Sequence, residues 1–265
     1  MSNDKAILVV SFGTSYNDNR ARTIGAIEKL ISDNHPEWEV RRAFTSRMII
    51  KKLAERDNEK IDYVGEAMER LVNDGFKTVV VQPTHIMNGE EYDKVAEVVD
   101  EFSDRFDKLS IGKPLLTTAE DYDLVLEAID AGIIRESGNL GERTAVVLMG
   151  HGSEHFANAT YSQLQMKLIT TGRKDVYVTT VEGYPEFDDT LGLMEGKGYT
   201  DVALYPFMLV AGDHANNDMA GDEEDSLRSV MESAGYKVHC FVKGLGEIPE
   251  FQKLFLAHAD DAIGN

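Results

Sequence analysis

Holding a metal ion takes imidazole, thiolate or carboxylate donors that converge, and this chain has few residues that could form such a set. It has seven histidines and one cysteine, Cys240, so a thiolate cluster and an intramolecular disulfide are both excluded within the chain. His151 lies in Met149–Ser153 (MGHGS), where flanking glycines allow a tight turn and leave the imidazole uncrowded. His214 lies in Val210–Asp218 (VAGDHANND), a polar, turn-prone cluster directly after an apolar run, the usual setting of a binding loop. Glu91 follows Asn88, Gly89 and Glu90; taken alone it is a first-turn acid favoured by the helix dipole. His85, in Pro83–Met87 (PTHIM), is a plausible neighbour of the same site. His35, His239 and His258 read as structural, and His155 as a helical residue outside the ligand set.

Two imidazoles and one carboxylate suit Zn²⁺, Fe²⁺, Co²⁺ or Ni²⁺ and leave coordination positions open. Open positions serve chemistry on the metal and equally its transfer to another molecule. Affinity order does not choose among these ions. Other chemistries lack their signatures: there is no P-loop and no G-x-S-x-G elbow, and the turn Ser11–Ser15 (SFGTS) fails the dinucleotide fingerprint. The N–H groups of Gly13, Thr14 and Ser15, with Ser11, and those of Gly152 and Ser153, are candidates for holding a carboxylate of a substrate.

These residues need a scaffold, and its pattern is repeated strand, turn and helix. Short apolar runs at Ala6–Ser11, Val40–Phe44, Thr78–Gln82, Leu109–Ile111, Thr144–Met149, Val176–Val181, Val202–Pro206 and Lys237–Val242 predict buried strands. Amphipathic stretches between them, such as Val64–Leu71 and Tyr161–Ile169, predict covering helices. The fold class is α/β with parallel sheet. The pattern also echoes itself. Ala6–Ser15 parallels Ala145–Glu154, and Gly75–Pro83 parallels Gly198–Pro206, each followed six residues later by glycine, Gly89 and Gly212. The expected organisation is two similar lobes, residues 1–135 and 136–265, each a sheet flanked by helices, with a cleft between them and the last helix packing back on the first lobe. The echo aligns Glu91 with His214 and Phe12 with His151, so Glu91, His151 and His214 all fall just past the C-terminal end of a strand. Ligands of open parallel sheets bind there.

The formal net charge of −20 argues against nucleic-acid partners and against binding to an anionic membrane surface. The N-terminal apolar run is short and lacks a basic leader, and no run reaches the roughly 18 residues that span a bilayer. The expected location is the cytoplasm. Arg20, Arg22, Arg41, Arg42 and Arg47 cluster in the first lobe as candidate countercharges for an anionic substrate.

Several segments together resemble the cobalt chelatases of the anaerobic cobalamin pathway, the sirohydrochlorin cobaltochelatase (CbiK) family. They are Leu8–Tyr16, Arg42–Ser46, His85–Tyr92, Met149–Gly152, Glu182–Pro185, Met208–Met219 and Gly244–Pro249. The resemblance implies a class II chelatase fold and insertion of Co²⁺ into sirohydrochlorin or precorrin-2. Co²⁺ is then a substrate, no organic cofactor is expected, and the partners are the tetrapyrrole and the divalent metal. A homo-oligomer is compatible with this. The family's metal-holding histidines and glutamate map onto His151, His214 and Glu91. For the proton transfer, the expectation is that a histidine not bound to the metal at that moment, His214 first, accepts a pyrrole proton. Alternatives are a chelatase of the same class for Fe²⁺ or Ni²⁺, and a metal or tetrapyrrole carrier without catalysis.

Overall fold

The computed structural model describes residues 4–264. The chain forms two compact units: one runs to Thr117 and takes up the chain again from Phe251, and the other is Thr118–Glu250.

In the first unit, β1 (Lys5–Ser11), β2 (Glu39–Phe44), β3 (Thr78–Pro83) and β4 (Lys108–Ile111) form a parallel sheet in the order β2-β1-β3-β4. The order follows from composition. The interior strand β1 is apolar throughout and buried from Ala6 to Ser11. The edge strand β2 carries Glu39, Arg41 and Arg42, charges that discourage pairing with another strand. Successive side chains point to opposite faces. Ala6, Leu8 and Val10 join Val79 and Val81 on one face. Covering them are Val64, Ala67, Met68 and Leu71 of helix Val64–Asn73, at the i, i+3, i+4, i+7 spacing of one helical stripe, with Val95 and Val99 of helix Glu90–Glu101. Each large side chain so buried stabilises the unit by about 1.5–3 kcal/mol.

The second unit repeats this plan with β5 (Thr144–Gly150), β6 (Val176–Thr180), β7 (Asp201–Pro206) and β8 (Lys237–Cys240), in the order β6-β5-β7-β8. Even the register repeats. Lys5 pairs with Thr78 and Val10 with Pro83 in the first sheet; Thr144 pairs with Asp201 and Met149 with Pro206 in the second. These are the same positions of the two sequence echoes.

The division falls at 117/118, ahead of the 135/136 boundary drawn from the sequence. A helix starts at Ala119, where the Thr118 hydroxyl accepts from Asp121 N–H (3.2 Å) and the Asp121 carboxylate accepts from Thr118 N–H (2.7 Å). It continues through a π-helical turn, Ile129–Ile134, and is tied within the second unit by ion pairs Lys167–Asp123 and Arg173–Asp130. The final helix, Pro249–Gly264, is tied to the first unit by Ser110 Oγ donating to Ala262 O (2.7 Å) and by the His35–Asp260 pair (2.6 Å). His258 is buried there, its Nδ1 3.1 Å from Lys113 O, and His239 pairs with Asp201 at 2.8 Å, so these three histidines have structural partners. Helices Arg47–Asp57 and Phe187–Met194 add to those read from periodicity. Among the described residues no helix is long and apolar enough to cross a membrane.

Candidate metal site

The second unit assembles three donors from three chain segments. The first segment leaves β5 at Gly150, where a Cβ would come 2.3 Å from the Tyr161 ring, so only glycine fits. Tyr161 is buried, and its hydroxyl oxygen accepts from the N–H groups of His151 and Gly152. Burial pushes the Tyr161 phenol up to about 12, against the opposing effect of those two hydrogen bonds. Gly152 turns with φ +82°, and a Cβ there would lie 2.6 Å from Gly183 N. The backbone thus turns sharply after His151 and leaves its ring exposed.

The second segment leaves β6 and is fastened to the first: Val181 and Glu182 N–H both donate to His151 O, at 3.1 and 2.8 Å. Asn158 ties the loops further, accepting from Ser153 N–H (3.0 Å) and donating to Tyr184 O (2.8 Å). The Glu182 carboxylate consequently stands beside His151, Oε2 to Nδ1 3.7 Å. The third segment follows β7 and brings His214, half-buried, against His151, with ring centroids 4.5 Å apart and planes at 84°.

His151, Glu182 and His214 each offer a ligand atom within 4.8 Å of the other two. Bonds of about 2.0–2.2 Å to a first-row divalent ion need donors somewhat closer, a shift that these half-exposed side chains can make by small rotations. The hydrogen bonds also select tautomers. His151 Nδ1 is 2.9 Å from Gly152 O, and His214 Nδ1 is 2.9 Å from Asp218 Oδ2. A carbonyl and a carboxylate only accept, so each neutral ring carries its proton on Nδ1 and keeps the Nε2 lone pair for a metal or a proton.

Glu182 is the functional candidate that spacing missed. Its counterpart in the first unit is Ser46, whose N–H donates to Phe12 O as Glu182 N–H donates to His151 O. Serine at that place gives the echo no ligand to flag, and Glu182 stood in the sequence only as part of the Glu182–Pro185 resemblance.

The first unit holds the remaining candidates. Glu91 opens helix Glu90–Glu101 and is 2.9 Å from Lys94 Nζ. Partial burial works to raise the Glu91 carboxyl, but Lys94, the Thr45 hydroxyl and the nearby His85 outweigh it and hold it below the ordinary carboxylate value. Both ring nitrogens of His85 are buried without a hydrogen-bond partner. Burial pushes this imidazole down to about 4, with Glu91 opposing. The Ser11 hydroxyl is buried in a 2.8 Å hydrogen bond with Thr84. Thr14 and Ser15 are buried, and their carbonyls accept from Arg20 and Arg56. Gly13 has φ +100°, and a Cβ would meet the Phe44 ring at 2.6 Å.

Other expectations are revised. The N–H groups of Gly152 and Ser153, offered to a carboxylate of the substrate, are taken by Tyr161 and Asn158. His155 is not within a helix: it caps the short turn Phe156–Asn158, its Nδ1 accepting from Ala157 N–H (3.2 Å). Of the candidate arginines, Arg20 pairs with Glu59 (2.5 Å), Arg41 with Glu39 and Asp74 (2.8 and 2.6 Å), and Arg42 with Glu28 (2.5 Å). Arg47 is exposed and lies 3.9 Å over the Tyr63 ring.

Two four-stranded parallel sheets flanked by helices are the class II chelatase fold. Similar structures are SirB from Bacillus subtilis with Fe³⁺ (TM-score 0.65, 16% identity, 97% of this chain and 95% of that one) and CbiX, described as the terminal enzyme for biosynthesis of siroheme in denitrifying bacteria (TM-score 0.59, 15% identity, 97% and 99%). At such identity they establish the fold alone. The sequence profile of the cobalt chelatase (CbiK) family matches residues 5–264, and the chain belongs to that family. It is 40% identical over 259 residues to the sirohydrochlorin cobaltochelatase of Salmonella typhimurium, covering 98% of this chain and 96% of the relative. It is 31% identical over 261 residues to sirohydrochlorin cobaltochelatase CbiKC of Nitratidesulfovibrio vulgaris, covering 98% and 90%.

Proposed function

We propose that this protein is a cytoplasmic sirohydrochlorin cobaltochelatase, inserting Co²⁺ into sirohydrochlorin or its reduced form. The observation that carries the reading is the pair of imidazoles, His151 and His214, with Nε2 free and the Glu182 carboxylate alongside, in a chain 40% identical to an enzyme of that name.

Insertion forms bonds from the ring nitrogens to the metal, and two pyrrole N–H protons leave. Both partners must also shed solvent. His151, Glu182 and His214 would hold Co²⁺ with part of its water stripped and with coordination positions open to the macrocycle. An Nε2 not engaged by the metal would accept a pyrrole proton, His214 being the first choice. Glu91 is kept as a further carboxylate for the metal or the proton, supported by its alignment with His214 in the repeat. The Ser11–Ser15 turn, His85, the Gly152–Ser153 turn (through groups other than its two engaged N–H donors) and Arg47 are kept as contacts for the substrate periphery. The exposed aromatic rings of Phe156 (84%) and Tyr184 (58%), on the same loops as His151 and Glu182, favour a ligand with a broad, flat ring face, its charges at the rim, over a small polar one.

The test is to mix the purified protein with sirohydrochlorin and Co²⁺, Fe²⁺ or Ni²⁺ in turn and follow the absorbance spectrum. Fast Co²⁺ insertion supports the reading. Faster Fe²⁺ or Ni²⁺ insertion reassigns the metal. Tight binding of the tetrapyrrole without turnover indicates a carrier.

A further inference from the structure

We propose that Asp218 is a positioning residue that fixes the tautomer and orientation of His214; this rests on the reading of His214 as a donor to the metal or acceptor of a pyrrole proton. The two residues lie four apart across the π-helical turn Ala215–Met219, and the Asp218 carboxylate is 2.9 Å from His214 Nδ1.

The turn is built so that these two side chains have little choice. Ala215 and Met219, also four apart and each one residue further on, are fully buried and anchor its inner side. His214 and Asp218 are half-exposed on the other. The Asn216 side chain donates to Gly212 O (2.8 Å) at the start of the turn, and Gly221 N–H donates to Asn217 O (3.0 Å) at its end. A Cβ at Gly221 would come 2.3 Å from that same oxygen, so the closure needs glycine.

A free neutral imidazole favours the proton on Nε2, the wrong nitrogen for ligating or accepting a proton from there. The carboxylate reverses that preference and makes the ring a better donor, as partners of metal-ligating histidines do generally. The hydrogen-bond partner of His151 Nδ1 is a neutral carbonyl, Gly152 O, with the Glu182 carboxylate further off at 3.7 Å, so of the pair His214 has the carboxylate within hydrogen-bond distance of Nδ1. In the first unit the equivalent position is Glu91, whose partner one turn on is the Lys94 ammonium. The same place in the repeat therefore carries a side chain held by a charged partner about one turn further on in both units, a carboxylate behind His214 and an ammonium behind Glu91.

The test uses full-length protein labelled with ¹⁵N-histidine. In the wild type, His214 should show the Nδ1–H tautomer at neutral pH. In Asp218→Ala it should shift toward Nε2–H, and Co²⁺ affinity by calorimetry should fall roughly ten- to a hundredfold. Asp218→Asn keeps the shape and an accepting oxygen, so it should lose less; it also serves as the second variant if Asp218→Ala folds poorly. An unchanged tautomer in both variants, or a changed tautomer with unchanged Co²⁺ affinity, overturns the proposal. His214→Ala separates this from the underlying reading. If it binds and inserts Co²⁺ like the wild type, the functional assignment of His214 fails. If it is inactive while both Asp218 variants match the wild type in tautomer and affinity, only the role of Asp218 fails.

Discussion

The rings of His151 and His214 meet edge to face, 4.5 Å between centroids, with Glu182 Oε2 3.7 Å from the nearer nitrogen of His151. Two rings so close, each with its Nδ1 bonded away, leave two Nε2 lone pairs and a carboxylate as the free donors of one small region.

Removing any of these donors should weaken Co²⁺ binding. His151→Ala, His214→Ala and Glu182→Gln should each lower affinity by roughly tenfold or more, and insertion with it, while circular dichroism stays unchanged. Glu91→Gln run beside Glu182→Gln ranks the two carboxylates. A Glu182→Gln protein that binds Co²⁺ like the wild type would remove Glu182 from the site.

Gly152→Ala should disturb the turn that presents His151. A non-glycine residue at φ +82° costs about 1–3 kcal/mol, and the new methyl meets Gly183 N at 2.6 Å. The expected result is lower thermal stability together with an insertion rate reduced roughly a hundredfold, since small displacements of a reacting group are expensive. A wild-type rate would mean that the turn tolerates the shift.

Tyr161→Phe removes the oxygen that accepts from His151 and Gly152 N–H, leaving buried donors unpaired at about 1–3 kcal/mol each. Denaturant unfolding should show the loss. If stability is retained, water has replaced the hydroxyl.

His85 should give the protein an acid-sensitive component. Its folded value of about 4 lies below its ordinary 6.5, because burial disfavours the charged ring. The unfolded chain therefore takes up the proton first as the pH falls. The contribution is complete above 6.5 and is lost as the pH drops from there through about 4, up to about 3 kcal/mol. His85→Met, with the residue that Met208 supplies at the matching place of the second unit, should flatten this slope in urea titrations at about pH 7.5 and 4.5. An equal slope in the variant would place the acid sensitivity elsewhere.

Much of this molecule can be read from residue order. The eight apolar runs became the eight strands because a buried parallel strand needs an unbroken apolar segment, and β1 and β5 are nearly pure examples. The echo between Ala6–Ser15 and Ala145–Glu154 predicted matched sheets, and Gly13 and Gly152 do share left-handed φ of 100° and 82°. Helix Arg47–Asp57 was harder to see, since its exposed face is so charged that only Ile49 and Leu53 are buried. The domain boundary was missed because the helix from Ala119 runs on unbroken past 135, and its allegiance is set by partners such as Lys167 and Arg173, far along the chain.

Local pattern alone determined the strands, their doubling and the family, and singled out the two histidines as candidates, because periodicity and short motifs are properties of neighbouring residues. Tertiary structure decided that the Glu182 carboxylate lies beside the two imidazoles, and which ring nitrogen of each is hydrogen-bonded. Glu182 reaches His151 through backbone hydrogen bonds from the end of β6 to the end of β5, and no spacing within one segment encodes that meeting.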